Sequence, residues 1–214
     1  MRRIVIAVDG PSASGKGTVA KRLAAHYQLP HLDTGLLYRA VGMGLLHTGA
    51  DRNDAAAAEA VARALDPASF DEHALRSAEA GAAAAMVAAM PGVRRALLDL
   101  QRNFAAQEPG AVLDGRDIGT VICPRADAKL WVVASPEERA RRRWSELKGR
   151  GEEIQLAEVL AQLQERDRRD ATRKDAPAVK ADDAHLLDTT TLSIDASFAE
   201  ARRIVDAALQ GSGA

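Results

Sequence analysis

Ile4-Val5-Ile6-Ala7-Val8-Asp9-Gly10-Pro11-Ser12-Ala13-Ser14-Gly15-Lys16-Gly17-Thr18 opens the chain after three residues, and the order of residue types in it sets the architecture expected of the rest. The unbroken apolar run from Ile4 to Val8 predicts a strand buried on both faces. Behind it a Gly/Ser-rich turn leads into a helix, whose buried stripe is marked by Val19, Leu23 and Tyr27 at four-residue steps. Strand, glycine-rich loop and helix in that order make an anion cradle: backbone N–H groups and the helix N-terminus face a phosphate, and a lysine at the position of Lys16 reaches its outer oxygens. Gly10, Pro11, Ser12, Ala13, Ser14, Gly15, Lys16, Gly17 and Thr18 are therefore the candidate phosphate loop. One detail departs from the generic pattern. The residue after the lysine is Gly17, and the hydroxyl expected there comes one position later, as Thr18.

The 214 residues suffice for one well-filled core with insertions and are few for two independent domains. Lys and Arg number 29 against 30 Asp and Glu, a net charge of -1, so nothing in the global balance calls for nucleic acid or an anionic membrane. Cys123 is the only cysteine; an intramolecular disulfide and a cysteine-rich metal site are excluded, and a small half-buried side chain is expected there. Met1-Arg2-Arg3 looks like the start of a signal peptide, but Asp9 ends the apolar run too early. Ala80 to Met90 is too short and Ala-rich to span a bilayer. A soluble, cytoplasmic protein is expected.

Along the chain, Leu29-Pro30-His31-Leu32 reads as a short strand near a sheet edge. Asp33-Thr34-Gly35 supplies turn and cap chemistry for a helix beginning near Leu36, with Tyr38, Val41 and Leu45 on one face and Arg39 directed away from it. Between Asp51 and Met90 alanine dominates, predicting helices over about 55–65 and 74–90, broken at Asp66-Pro67 and ended by Pro91-Gly92. A third helix over Val93–Gln107 should turn Leu97, Leu100 and Phe104 inward, with Arg94 in its first turn. Ala111-Val112-Leu113-Asp114 reads as a strand closing in a carboxylate, as phosphate-loop proteins use to hold Mg2+, directly or through water. No acidic residue immediately follows Asp114, which favours group transfer over hydrolysis. Lys129 to Ala134 is another buried strand, with Trp131 expected in the core. Ser135-Pro136-Glu137-Glu138 is a helix start, and Arg139 and Arg143 share a face of that helix. Lys148-Gly149-Arg150-Gly151 reads as a hinge. On the helix beginning about Ile154, Arg166, Asp170 and Arg173 form one charged stripe at i, i+4 and i+7; in isolation that is an exposed salt-bridged face, and beside a phosphate loop it is a site. Leu186 to Thr189 reads as a last strand, Ile194 to Leu209 as a closing amphipathic helix and Gly211 to Ala214 as a frayed tail. Alternating strands and helices imply an α/β fold: a parallel sheet flanked by helices, with ligands beyond the carboxyl ends of the strands.

The Gly-Lys-Gly-Thr ending resembles nucleoside monophosphate kinases of the P-loop class. Asp33-Thr-Gly-Leu-Leu-Tyr-Arg39, Asp114-Gly-Arg-Asp-Ile-Gly-Thr120, Ser135-Pro-Glu-Glu-Arg139 and Glu165-Arg-Asp-Arg-Arg-Asp170 narrow this to a resemblance to bacterial cytidylate kinases over most of the chain. The resemblance implies a core over 1–33, 95–143 and 177–214, a small helical acceptor-binding insert over 34–94, and a short lid with flanking helices over 144–176. It implies ATP and Mg2+, with Gly10 to Thr18 holding the ATP phosphates and Thr18 and Asp114 attending the metal. Arg139 and Arg143 would serve the donor from the lid side. The acceptors would be CMP and dCMP, held by Asp33, Thr34, Arg39, Arg94, Arg116, Asp117, Arg166 and Asp170, with Arg94 and Asp117 reading the base. Lys16, Arg116, Arg166 and Arg173 would carry the catalytic charge. A monomer is expected.

Two departures from the family pattern stand out. The family usually inserts a three-stranded β meander in the acceptor region, for which Phe70 to Ser77 is far too short, and it tends to place Ser where this chain has Ala85. Two alternatives stay open at this level. One is a same-fold kinase acting on a sugar or shikimate-like hydroxyl, against which Gly17 speaks. The other is a nucleotide-binding regulator without transfer activity.

Overall fold

The computed structural model describes residues 3–211. Met1, Arg2 and the last three residues of the expected tail lie outside them. Two compact units are present, one made of residues 1–32 and 104–214 and the other of residues 33–103.

The first unit is built on a five-stranded sheet of order β2-β3-β1-β4-β5, with β1 at Ile4–Asp9, β2 at His31–Asp33, β3 at Gly110–Gly115, β4 at Ala128–Val133 and β5 at His185–Asp188. β1 pairs in parallel with β3 and with β4, and β4 pairs in parallel with β5. The helices are α1 at Lys16–Tyr27, α6 at Pro136–Gly149, α7 at Leu156–Thr172 and α8 at Ile194–Gly211. Ile6, Val8, Val112, Leu130 and Val132 from the sheet meet Val19 and Leu23 of α1 and Ile204 and Val205 of α8 in one buried cluster. The central strand is thus apolar throughout because helices and turns cover both of its faces. β1 lies where the chain order reverses, between β3 and β4, and its carboxyl end is a topological switch point.

The second unit holds α2 at Thr34–His47, α3 at Ala55–Arg63, α4 at Ala78–Val87 and most of α5 at Pro91–Ala106, with short 3-10 turns at Pro67–Ser69 and Ala74–Arg76. No strand lies between residues 34 and 103 among the described residues. The alanine content has a packing reason. A Cβ on Gly42 would come within 2.7 Å of the Ala83 backbone, so α2 and α4 approach too closely for larger side chains at their contact.

Several expected boundaries move. α2 begins at Thr34, immediately after its cap Asp33. The helix expected over 74–90 is interrupted, because Ser77 is extended and caps α4 by accepting from the Ala80 N–H. Pro91 opens α5 instead of ending the helix before it, since a residue without an N–H is tolerated in a first turn. The buried stripe of α5 runs through Val93, Leu97, Gln101 and Ala105, leaving Leu100 and Phe104 half-buried. Trp131 is half-buried, on the opposite face of β4 from Leu130 and Val132. α6 continues through Gly149, so the expected hinge starts later, at Gly151 with φ 79°.

Candidate active site

The loop between β1 and α1 is shaped by three residues with positive φ, Gly10, Ala13 and Gly15. At Gly10 only glycine fits, for a Cβ would lie 2.0 Å from the Val132 carbonyl oxygen. The loop carbonyls are held by neighbouring donors: Lys16 Nζ lies 3.4 Å from Pro11 O, Arg139 Nη1 donates to Ser12 O at 3.3 Å, and Ser14 O accepts from Arg142 Nη1 at 3.4 Å and from Thr189 Oγ1 at 2.8 Å. A trans peptide is planar, so pinning these oxygens turns the N–H groups of Ser12, Ala13 and Gly15 the opposite way, as a phosphate cradle requires. Ser14 Oγ is buried in the loop without a protein partner among the described residues.

Arg116, just past β3, ties the loop to α7. Its Nη2 donates to Ser12 Oγ at 2.7 Å, its Nε to Asp170 Oδ2 at 3.0 Å and its Nη1 to the Gly115 carbonyl. Burial would raise the Asp170 pKa, but the positive charges of Arg116, Arg166 and Arg173 outweigh it and hold the carboxyl below its ordinary value. The charged stripe of α7 therefore faces its neighbours, with three guanidinium groups around one carboxylate. Arg173 closes the helix and pairs with Asp117 at 3.4 Å. Asp117 is 5% exposed and precedes a short π-helical turn at Ile118–Ile122. Asp9, at the end of β1, accepts from the Ile118 and Gly119 N–H groups, and burial pushes its pKa up to about 6.

Asp114 is buried at the end of β3, with Oδ1 2.8 Å from His31 Nε2. A Cβ on Gly17 would stand 3.7 Å from Asp114 Oδ2, so the absence of a side chain there leaves room between the carboxylate and the loop. Thr18 is exposed on the first turn of α1. No group of three or more His, Cys, Asp or Glu side chains able to hold a metal occurs among the described residues. One carboxylate, a nearby hydroxyl and a phosphate loop fit Mg2+, which keeps several waters and is bound largely through substrate phosphates.

Arg139 and Arg143 part company. Arg139 is buried and bonds Ser12 O, Ala134 O and Asp167, whereas Arg143 pairs with Glu146 on its own helix at 2.9 Å. The helix neighbour that does meet the loop is Arg142, which also holds Thr189 O at 2.7 Å. An i, i+3 spacing shares a helix face as well as i, i+4, and that signal could have found Arg142. His31, Thr189 and Asp167 carried no comparable mark, because each acts across a large sequence separation.

Within the second unit, Arg39 donates to the carbonyls of Leu75 at 2.8 Å and Ser77 at 3.2 Å, which places its guanidinium against the 74–77 turn. Arg94 reaches Tyr38 Oη at 3.3 Å and lies over the Tyr38 ring. Asp33 pairs with Arg76 at 3.4 Å, and Thr34 is buried beside it.

The comparisons with known proteins agree with one another. A family model described as "Cytidylate kinase" matches residues 6–206. A cytidylate kinase of Xanthobacter autotrophicus is 62% identical over 97% of this chain and 100% of its own length. Those of Caulobacter vibrioides and Brucella suis are 60% and 54% identical, covering 94% and 96% of this chain and 95% and 94% of their own. Among solved structures, an uncharacterized protein from Eubacterium ventriosum shares the fold with TM-score 0.55 and 15% identity, over 95% of this chain and 99% of that one. No helix among the described residues is long and apolar enough to cross a membrane.

Proposed function

Because this chain belongs to the cytidylate kinase family, and is thereby a nucleoside monophosphate kinase that phosphorylates CMP, we propose that it uses ATP, accepts both CMP and dCMP, and transfers the phosphoryl group directly and in line. The observation that carries this reading is the Arg116 guanidinium, which touches Ser12 of the phosphate loop and Asp170 of the arginine-lined stripe at once.

An oxygen of the acceptor's phosphate attacks the γ-phosphorus of ATP, the bond from that phosphorus to the β,γ-bridging oxygen breaks, and ADP leaves as the diphosphate product forms. A phosphate monoester with a second pKa of about 6 is largely dianionic at neutral pH, so its oxygen needs no general base. The work left to the protein is to align two mutually repelling anions and to neutralise the charge between them. Lys16 and the loop N–H groups hold the donor, with Arg139 and Arg142 fixing the loop that presents them. Arg116, Arg166 and Arg173 supply positive charge at the transferring group. Thr34 and Arg39 receive the acceptor's phosphate, with Asp33 beside them, while Arg94 and Asp117 read the base and Asp170 the sugar. Cytosine offers an amino donor where uracil offers an oxygen, so the Asp117 carboxylate accepts from one and repels the other. Mg2+, when bound with the donor, neutralises charge between phosphate oxygens; Asp114 and Thr18 are the residues that would hold it, directly or through water.

The test is a coupled ADP-release assay with Mg-ATP against CMP, dCMP, UMP, AMP, GMP and shikimate, each beside an acceptor-free control. Turnover with CMP and dCMP well above the others is expected. Acceptor-independent ADP release, or a preference for shikimate, would refute the assignment.

A further inference from the structure

We propose that Asp9 is the positioning residue for the Asp117 carboxylate, and that the preference for cytosine over uracil depends on it. The inference rests on the reading of Asp117 as the base-facing group.

Asp9 is 5% exposed, ends β1 and stands opposite Gly115 in the register of β1 with β3. Its two oxygens do separate work. Oδ1 accepts from the Ile118 N–H at 2.9 Å and Oδ2 from the Gly119 N–H at 2.8 Å, the two amides that follow Asp117. The same two peptide groups are held at their other ends. The Asp117 carbonyl accepts from the N–H groups of Val121 at 2.9 Å and Ile122 at 3.2 Å, and the Ile118 carbonyl accepts from Cys123 N–H at 2.7 Å. Two consecutive planar groups, each fixed at oxygen and hydrogen, leave the chain at Asp117 little torsional freedom and so direct its side chain. On the hydrogen side of both planes the acceptor is Asp9. The turn they build is a π-helical one, whose i to i+5 geometry has no intrinsic stability to hold it unaided.

The surroundings make this support sensitive to protonation. Burial raises the Asp9 pKa to about 6 against the lowering effect of the two N–H groups; the negative charge of Asp117 adds to the rise and Arg116 opposes it. From β4, the methylenes of Lys129 pack against Gly119, while its Nζ is turned to Pro124 O and Asp183. A protonated Asp9 presents an O–H to one of the two N–H groups and can no longer hold both, so the turn loosens as pH falls through about 6.

The experiment measures kcat/KM for CMP and for UMP from about pH 5 to about pH 8 in the wild type, Asp9→Asn and Asp117→Asn, with the KM for ATP alongside. The CMP/UMP ratio is the readout, because both acceptors carry the same phosphate and its ionisation cancels. The wild-type ratio should fall about tenfold toward the acid end. Asp9→Asn should show a low ratio without that inflection, and an unchanged KM for ATP. A wild-type ratio in Asp9→Asn, or equal losses for CMP and UMP with a raised KM for ATP, would overturn the inference and leave Asp9 as a support of the loop strand. Asp117→Asn with an unchanged ratio would instead refute the base-reading role of Asp117. Should Asp9→Asn fail to fold, the wild-type profile decides alone, and a flat ratio refutes the proposal.

Discussion

Lys16 and Asp9 lie seven positions apart and answer to opposite physics. Lys16 is a partly exposed cation whose value lies in the charge it brings to phosphate oxygens; Lys16→Ala should lower kcat by about a thousandfold while the circular dichroism spectrum is unchanged, as for other cations at a transferring phosphoryl group. Asp9 is a buried anion that the fold holds at some expense. Its folded pKa of about 6 lies above the ordinary 3.8, so the stabilising contribution of its protonated form is complete below about pH 4 and is lost as pH rises through about 6. The unfolding free energy of Asp9→Asn relative to wild type should therefore shift in favour of the variant between those limits, by up to about 3 kcal/mol. Urea titrations at both pH values measure it, and a difference independent of pH would contradict the burial argument. Neither the role nor the pKa of Asp9 was legible in its spacing. It reads as the last residue of a strand, and only the fold brings the 118–119 amides to it.

Elements were more legible where one period dominates. The β1–loop–α1 unit, the capped start of α6 and the stripe of α8 follow directly from residue order, because each is decided by local chemistry. The alanine-rich stretch was not, since alanine favours helix everywhere and marks no ends; Ser77 and Pro91 supply the punctuation through cap geometry. The packing of α2 on α4 gives a direct test. Gly42→Ala gains up to about 1 kcal/mol in helix propensity, but its methyl meets Ala83 backbone atoms that cannot swing aside. Overpacking of this kind costs about 1–3 kcal/mol, so the urea midpoint should fall. A rise would mean that α2 and α4 separate readily. The four-residue spacing of Arg139 and Arg143 suggested a shared role, yet the fold divides them, since the turn of α6 that faces the loop carries Arg139 and Arg142.

Taken whole, the molecule gathers its loop supports from distant parts of the chain, and this explains why the fold class was readable while the site was only partly so. Pattern and connectivity suffice for a parallel sheet with a glycine-rich loop after its first strand. Which side chains meet that loop depends on the sheet order, which places β1 between β3 and β4. Ligand linkage offers a test at this scale. ATP at about 100 times its Kd should stabilise the wild type by about 2.7 kcal/mol, whereas Lys16→Ala at the same concentration should gain much less. Differential scanning calorimetry reads both, and equal stabilisation would place the donor elsewhere. The tie between Thr189 and Ser14 spans 175 positions and bears on how the protein is made. The loop is among the first segments to leave the ribosome, but Arg139, Arg142 and Thr189, which orient its peptides, are translated long afterwards. A nascent chain that carries the entire glycine-rich motif is for most of its synthesis unable to hold a nucleotide, and that ability arrives abruptly, near the end of translation.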